Sequence, residues 1–130
     1  MLKKLLIIDS DSTTAQELKQ LLSIDWKIDS ARTGKIGLKL ASIIQPDVIV
    51  LDLLLSGGIH PLDGWDVIKI LKAGKNTKHI PVVIFSEASH KDLDDLTQMA
   101  HAQVCLSKYD DGLHTLTKTV QEIIASKSSS

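Results

Sequence analysis

Apolar residues gather along the chain in five short runs, at 5–8, 26–31, 48–51, 82–85 and 104–106. Four of these are apolar at nearly every position, as in strands buried on both faces of a parallel sheet, whereas 26–31 alternates and suits an edge strand. Between the runs the period changes to three or four residues. Ala15, Leu18, Leu21 and Leu22 fall on one helical stripe, and Ile36, Leu40, Ile43 and Ile44 on another. Val67, Ile68 and Leu71 form a third, Leu93, Leu96 and Met99 a fourth, and Leu113, Leu116, Val120, Ile123 and Ile124 a fifth. The punctuation agrees with these elements. Thr14 and Glu17 have the spacing of a capping box, Asp63 can cap a helix that begins at Gly64, and Pro46 and Pro81 stand just ahead of strands.

Alternating strands and helices, joined by right-handed crossovers, predict an α/β fold: a doubly wound (βα)5 three-layer sandwich with a flavodoxin-like parallel sheet. The order 2-1-3-4-5 leaves the polar second strand at an edge. Residues 1–126 are read as a single domain and 127–130 as a disordered polar tail. The connection after the third strand, with Ser56-Gly57-Gly58 and Pro61, has the composition of a mobile loop.

Composition narrows the function classes. With 130 residues, 43% of them hydrophobic and 24% charged, the chain reads as a soluble globular protein without a run long enough to span a bilayer. A net charge of −1 and 3% aromatic residues offer neither a basic field nor stacking surfaces for nucleic acid. The single cysteine, Cys105, excludes an internal disulfide, and the start lacks the apolar segment of a secretory signal. The expected location is the cytoplasm.

In a parallel sheet the carboxyl ends of the strands share one rim, where ligands bind. Four of the runs lead into a reactive side chain: Asp9, Asp52, Ser86 and Lys108. Crowded carboxylates repel and favour protonation unless a cation neutralises them, and Mg2+ suits a site of few carboxylates, waters and a phosphate oxygen. One carboxylate can then serve as a nucleophile for phosphorus, while lysine and a hydroxyl engage phosphoryl oxygens.

The residues that carry this chemistry resemble a response regulator receiver domain of the CheY-like kind, the phosphoacceptor of two-component signalling. The matching stretches are LLIIDSD, DVIVLD, PLDGWDVIKILK, IPVVIFS and VCLSK. The resemblance implies Asp52 as phosphoacceptor, with Ser86 and Lys108 on the phosphoryl group. It implies Mg2+ on Asp9, Asp52 and the main-chain carbonyl of Leu54, with Asp11 or Ser10 completing the set. Ser86 and Cys105 fall at the switch positions. The implied partners are a histidine kinase or phosphotransfer protein and a downstream protein target, with a homodimer through the fourth helix, fifth strand and fifth helix as a further expectation. Neither nucleic acid nor membrane is a direct partner, and the chain is expected to act as a single-domain phosphoacceptor rather than as an enzyme, with only its own phosphorylation and dephosphorylation as chemistry.

Several positions depart from the family pattern. Ser10 stands where the family has a second consecutive acid, and Glu87 follows the hydroxyl where a small residue is usual. Cys105 replaces the switch aromatic, Tyr109 replaces the proline after the lysine, and the loop after Asp52 is longer than usual. A pseudo-receiver that binds partners without phosphorylation therefore stays open as an alternative. So does a haloacid-dehalogenase-type phosphatase, whose D-x-D-x-T signature would make Asp9 the nucleophile and Asp11 the general acid, with Asp110 and Asp111 as terminal acids. That reading leaves Asp52 unexplained and needs a flap where helical spacing already begins. A flavin-binding reading rests on fold alone, because no hydroxyl- and glycine-rich phosphate loop follows the first strand.

Overall fold

The computed structural model describes residues 2–55, 63–87 and 102–128. Five strands, β1 (Lys3–Ile8), β2 (Trp26–Ala31), β3 (Val48–Leu51), β4 (Val82–Ser86) and β5 (Val104–Ser107), form one sheet in the order β2-β1-β3-β4-β5. All four pairings are parallel, so the polar β2 lies at an edge as its alternation predicts. The helices among the described residues are α1 (Thr13–Leu21), α2 (Gly34–Ile44), α3 (Gly64–Ala73) and α4 (Gly112–Ser128). The segment holding Leu93, Leu96 and Met99, read as a helix from its spacing, lies outside the described residues.

Strand residues on the two faces feed two separate cores. Leu6, Ile8, Ile49, Leu51, Val82 and Ile84 pack with Ala41 of α2 and with Val67, Ile68 and Leu71 of α3. Leu5, Ile7, Val48, Val50, Val83 and Phe85 face Ala15 and Leu18 of α1 and Leu116, Val120 and Ile124 of α4. Burial on both sides is why these strands read as continuous apolar runs. Each fully buried leucine or isoleucine contributes roughly 2 kcal/mol.

The buried face of α2 differs from the stripe its spacing suggests. Ile36 and Ile43 are exposed, and the helix instead turns Gly34, Gly37 and Ala41 inward. A Cβ on Gly37 would meet the Ile8 side chain at 2.6 Å, so the small residues set how closely α2 approaches β1.

Two further boundaries differ from expectation. The hydroxyl of Thr14 does not cap α1: the N-cap is Ser12, which makes no side-chain capping bond. At the other end α4 continues through Ser126 and Lys127 to Ser128, where Lys127 Nζ donates to the carbonyl of Asp47, just ahead of β3, at 2.9 Å. Asp63, in contrast, caps α3 as predicted, its side chain accepting from the amide of Asp66 at 2.9 Å. Among the described residues no helix is long and apolar enough to cross a membrane.

Candidate functional site

Parallel registry brings the strand ends to one rim. Ile8 lies between Ala31 and Leu51, Leu51 pairs with Ile84, and Ser86 pairs with Ser107. The ladder continues for one residue beyond the strands. The amide of Asp9 donates to the carbonyl of Ala31 (3.0 Å), that of Asp52 to Ile8 (2.9 Å) and that of Lys108 to Ser86 (2.7 Å). The backbone of each reactive residue is thus fixed by its neighbouring strand before any side chain contributes.

The side chains of Asp9, Asp52 and Lys108 then meet. Lys108 Nζ donates to Asp9 Oδ2 at 2.9 Å and to Asp52 Oδ2 at 3.1 Å, and the two carboxylate residues are only 5% and 7% exposed. A shared ammonium answers the repulsion that two buried carboxylates would otherwise suffer. Burial pushes the Asp52 carboxyl above its ordinary range, although the Leu54 amide, which donates to Asp52 Oδ1 at 3.0 Å, and the Lys108 charge both oppose the shift. Burial alone would lower Lys108, but the hydrogen bonds and charges of Asp9 and Asp52 outweigh it and raise the ammonium above its usual value. The ammonium also lies 5.9 Å from the centre of the Phe85 ring, within cation–π range.

Ser86, the last residue of β4, is 1% exposed, and its Oγ has no hydrogen-bond partner among the described residues. A buried hydroxyl without a partner costs on the order of 1–3 kcal/mol, which a ligand oxygen arriving at the rim would recover. Cys105 is half-buried in β5 and packs against the core beneath α2 and α3. Tyr109 is 75% exposed and Glu87 is also exposed.

The acidic turn is built from two consecutive carboxylate-to-backbone bonds. Asp9 Oδ1 accepts from the Asp11 amide (2.9 Å), and Asp11 Oδ1 accepts from the Thr13 amide (3.0 Å) at the start of α1. That amide bond is the main reason the exposed Asp11 carboxyl lies below its ordinary value. Ser10 is half-buried, and its carbonyl accepts from Arg32 Nε at 3.3 Å. Thr14 was not expected in the site. Its Oγ1 donates to Asp9 Oδ2 at 3.1 Å in a buried contact, and the clue in the sequence was a hydroxyl in the first helical turn five positions after the acid.

Gly64 closes the site from below. A Cβ there would lie 2.3 Å from Leu53 Cα and 2.4 Å from the Asp52 carbonyl, and the Gly64 amide donates to the Leu53 carbonyl at 3.0 Å. The start of α3 is therefore seated directly on the backbone that carries Asp52.

Among the described residues no group of three or more His, Cys, Asp or Glu side chains is placed to hold a metal. The rim supplies two carboxylates already converging on one cation, a donor set that fits Mg2+, which keeps several waters and takes few protein ligands. His79 and His114 are exposed and distant in sequence from the rim acids, whereas His60, His90 and His101, like Asp92, Asp94 and Asp95, lie outside the described residues. A cavity of about 330 Å³ opens beside Lys108, bordered by Asp11, Thr14, Glu17, Glu87 and Leu113. At the foot of the sheet a cavity of about 550 Å³ is lined in part by Lys72, Lys78, His79 and Lys127. There Lys72 Nζ already donates to the Ile80 carbonyl at 2.8 Å, and burial lowers that ammonium.

Two features separate this rim from the phosphatase reading. Helix α1 begins at Thr13, so no flap intervenes, and Asp11 is engaged with the helix amide while Asp52 shares the lysine with Asp9.

Comparison with known proteins agrees. The chain is 30% identical over 87 residues to Response regulator PleD of Caulobacter vibrioides, an alignment covering 66% of this chain and 18% of PleD. It spans about a fifth of the length of such larger curated relatives. A putative response regulator from Chloroflexus aurantiacus superposes with a TM-score of 0.81 at 25% identity, covering 96% of this chain and 99% of that one. The Mn(2+)-bound form of response regulator Rcp1 superposes with a TM-score of 0.68 at 27% identity, covering 93% and 91%. The family profile of the response regulator receiver domain matches residues 5–121, a span that runs from within β1 through β5 and takes in the whole rim. With sheet order, rim chemistry and profile in accord, the chain belongs to the response regulator receiver domain family of two-component signalling.

Proposed function

We propose that this receiver domain accepts a phosphoryl group on Asp52 from a phosphohistidine of a histidine kinase or phosphotransfer protein, and that the acquired charge changes its affinity for a downstream protein. Receiver domains are signalling domains rather than enzymes acting on a separate substrate. The observation that carries the reading is the Lys108 ammonium held between Asp9 and Asp52 on a rim where the buried Ser86 hydroxyl has no partner among the described residues.

In the transfer an oxygen of Asp52 attacks phosphorus, the bond from phosphorus to the histidine nitrogen breaks, and that nitrogen keeps the electron pair. Lys108, already at Asp52, supplies positive charge to a phosphoryl oxygen, and Ser86 donates to another. Asp9, Asp52 and the Leu54 carbonyl would hold Mg2+, with Asp11 or Ser10 as the remaining protein contact. Bound there, the ion would supply charge neutralisation at the phosphoryl oxygens. That the structural neighbour Rcp1 is Mn(2+)-bound supports a divalent cation in this family's chemistry.

Ser86 and Cys105 form the switch in this reading, and output passes through β5 and α4, which would also serve a homodimer. The cytoplasm is the compartment in which such a kinase would be met.

Intact-mass measurement after incubation with acetyl phosphate and Mg2+ tests the proposal. Wild type gains the mass of one phosphoryl group and Asp52→Asn does not. No gain in either protein would replace this reading with that of a pseudo-receiver, an interaction module that works without phosphorylation.

A further inference from the structure

Thr14 is 6% exposed and sits in the first turn of α1, yet its hydroxyl does not make the bond back to a helix carbonyl that Thr117 and Thr119 make in α4. In α4, Thr117 and Thr119 donate to the carbonyls of Leu113 and Thr115, each four residues back. Thr14 Oγ1 donates instead to Asp9 Oδ2, at 3.1 Å.

That carboxylate receives three donors from three parts of the chain. The Asp11 amide bonds Oδ1, while Thr14 Oγ1 and Lys108 Nζ both bond Oδ2. If Lys108 turns from Asp9 to an incoming phosphoryl group, two donors stay, one on each oxygen, and together they fix the plane of the carboxylate. Of the two, Thr14 is the side chain. Its contribution matters more in this chain than a lone hydrogen bond usually would, because Ser10 follows Asp9 where a second acid could have shared the cation. Cation binding then rests on how well Asp9 is held in place before the ion arrives. Groups that orient a metal ligand from behind commonly change affinity by ten- to a hundredfold.

We propose that Thr14 is a positioning residue that presets the Asp9 carboxylate for a divalent cation and so offsets the absence of an acid at position 10. The proposal rests on the phosphoacceptor reading above and adds to it a residue that acts through Asp9.

The test compares wild type, Thr14→Val, which keeps the shape and removes the donor, and Thr14→Ser, which restores it. Mg2+ affinity of the unphosphorylated proteins is measured by titration calorimetry, thermal midpoints are recorded, and phosphorylation by acetyl phosphate is followed against Mg2+ concentration. Thr14→Val is expected to bind Mg2+ roughly tenfold more weakly, to need correspondingly more Mg2+ for half-maximal phosphorylation, and to reach the wild-type rate at saturation. Thr14→Ser is expected to behave as wild type. Should Thr14→Val melt far below wild type, Thr14→Ala against Thr14→Ser carries the same comparison. A folded Thr14→Val protein that binds Mg2+ as tightly as wild type overturns the role of Thr14 and leaves the phosphoacceptor reading intact. Wild-type protein that neither binds Mg2+ nor gains phosphoryl mass overturns both.

Discussion

Lys108 Nζ donates to Asp52 Oδ2 at 3.1 Å across 56 positions of sequence, and the same nitrogen holds Asp9 at 2.9 Å. One ammonium therefore neutralises two buried carboxylates. Lys108→Gln should leave both acids without a cation and destabilise the fold at pH 7 by roughly 3 kcal/mol, the usual cost of stripping one partner from a buried charge set. Urea unfolding at pH 7 and pH 4 checks this, because protonation of the acids should shrink the deficit at the lower pH.

Asp52 gives the opposite result. Its carboxyl is raised above the ordinary value, first by burial, so the folded state holds a proton more tightly than the unfolded chain does. Stability linked to this group is present at low pH and lost as pH rises through the folded value. Asp52→Asn should therefore melt a few degrees above wild type at pH 7, with the difference closing in acid. Calorimetric scans across that range measure it. The rate of phosphorylation by acetyl phosphate should fall, on acidification, at a higher pH than an ordinary aspartate would give, since only the carboxylate form attacks.

Gly64 and Gly37 both lie against β-strand ends, and their substitutions should differ in outcome. An added Cβ at position 64 meets backbone atoms, Leu53 Cα at 2.3 Å and the Asp52 carbonyl at 2.4 Å, which cannot rotate away. At position 37 it meets the side chain of Ile8. Gly64→Ala should cost about 3 kcal/mol, the upper part of the overpacking range, and Gly37→Ala about 1 kcal/mol. Only Gly64→Ala should slow phosphorylation, because only there does the backbone of Asp52 have to move.

Asp11 tests the two-step turn. Its carboxylate accepts the Thr13 amide at the head of α1, which is the first cause of its lowered value. A lowered carboxyl contributes stability that is present above the unfolded value and lost as pH falls through the folded one. Asp11→Ala should lower the thermal midpoint at pH 7, and the difference from wild type should vanish in strong acid. Asp11→Asn retains an acceptor for the Thr13 amide and should stay close to wild type at pH 7, but, having no proton to take up, should lose less stability than wild type on acidification.

The sheet was readable from the chain because burial on both faces leaves unbroken apolar runs, and the rim followed because parallel registry forces Asp9, Asp52, Ser86 and Lys108 to one edge. Even the edge position of β2 could be read from its alternation. What could not be read were the places where a short side chain matters more than an apolar one. The stripe Ile36, Leu40, Ile43 and Ile44 suggested the inner face of α2, but close approach to Ile8 selected Gly37 and Ala41, and glycine carries no hydrophobic signal. Thr14 was misread because its hydroxyl has the spacing of a capping box with Glu17, and only three-dimensional placement shows Asp9 to be the stronger acceptor. The end of α4 was set too early for a similar reason: polar composition suggested a tail, whereas the helix runs on to Ser128 with Lys127 contacting Asp47.

That last contact also determines how α4 can move. The helix is about 25 Å long, begins at Gly112 in the left-handed region (φ 74°) one residue after Asp111, whose carboxylate accepts the Ser107 amide at 2.7 Å, and finishes beside Asp47 at the amino-terminal foot of β3. Held by the turn after β5 at one end and by the Lys127 contact at the other, it joins the two ends of the sheet, so a displacement of that turn would be carried along its length. An event confined to the acidic rim would then be felt along the entire outer flank of the domain.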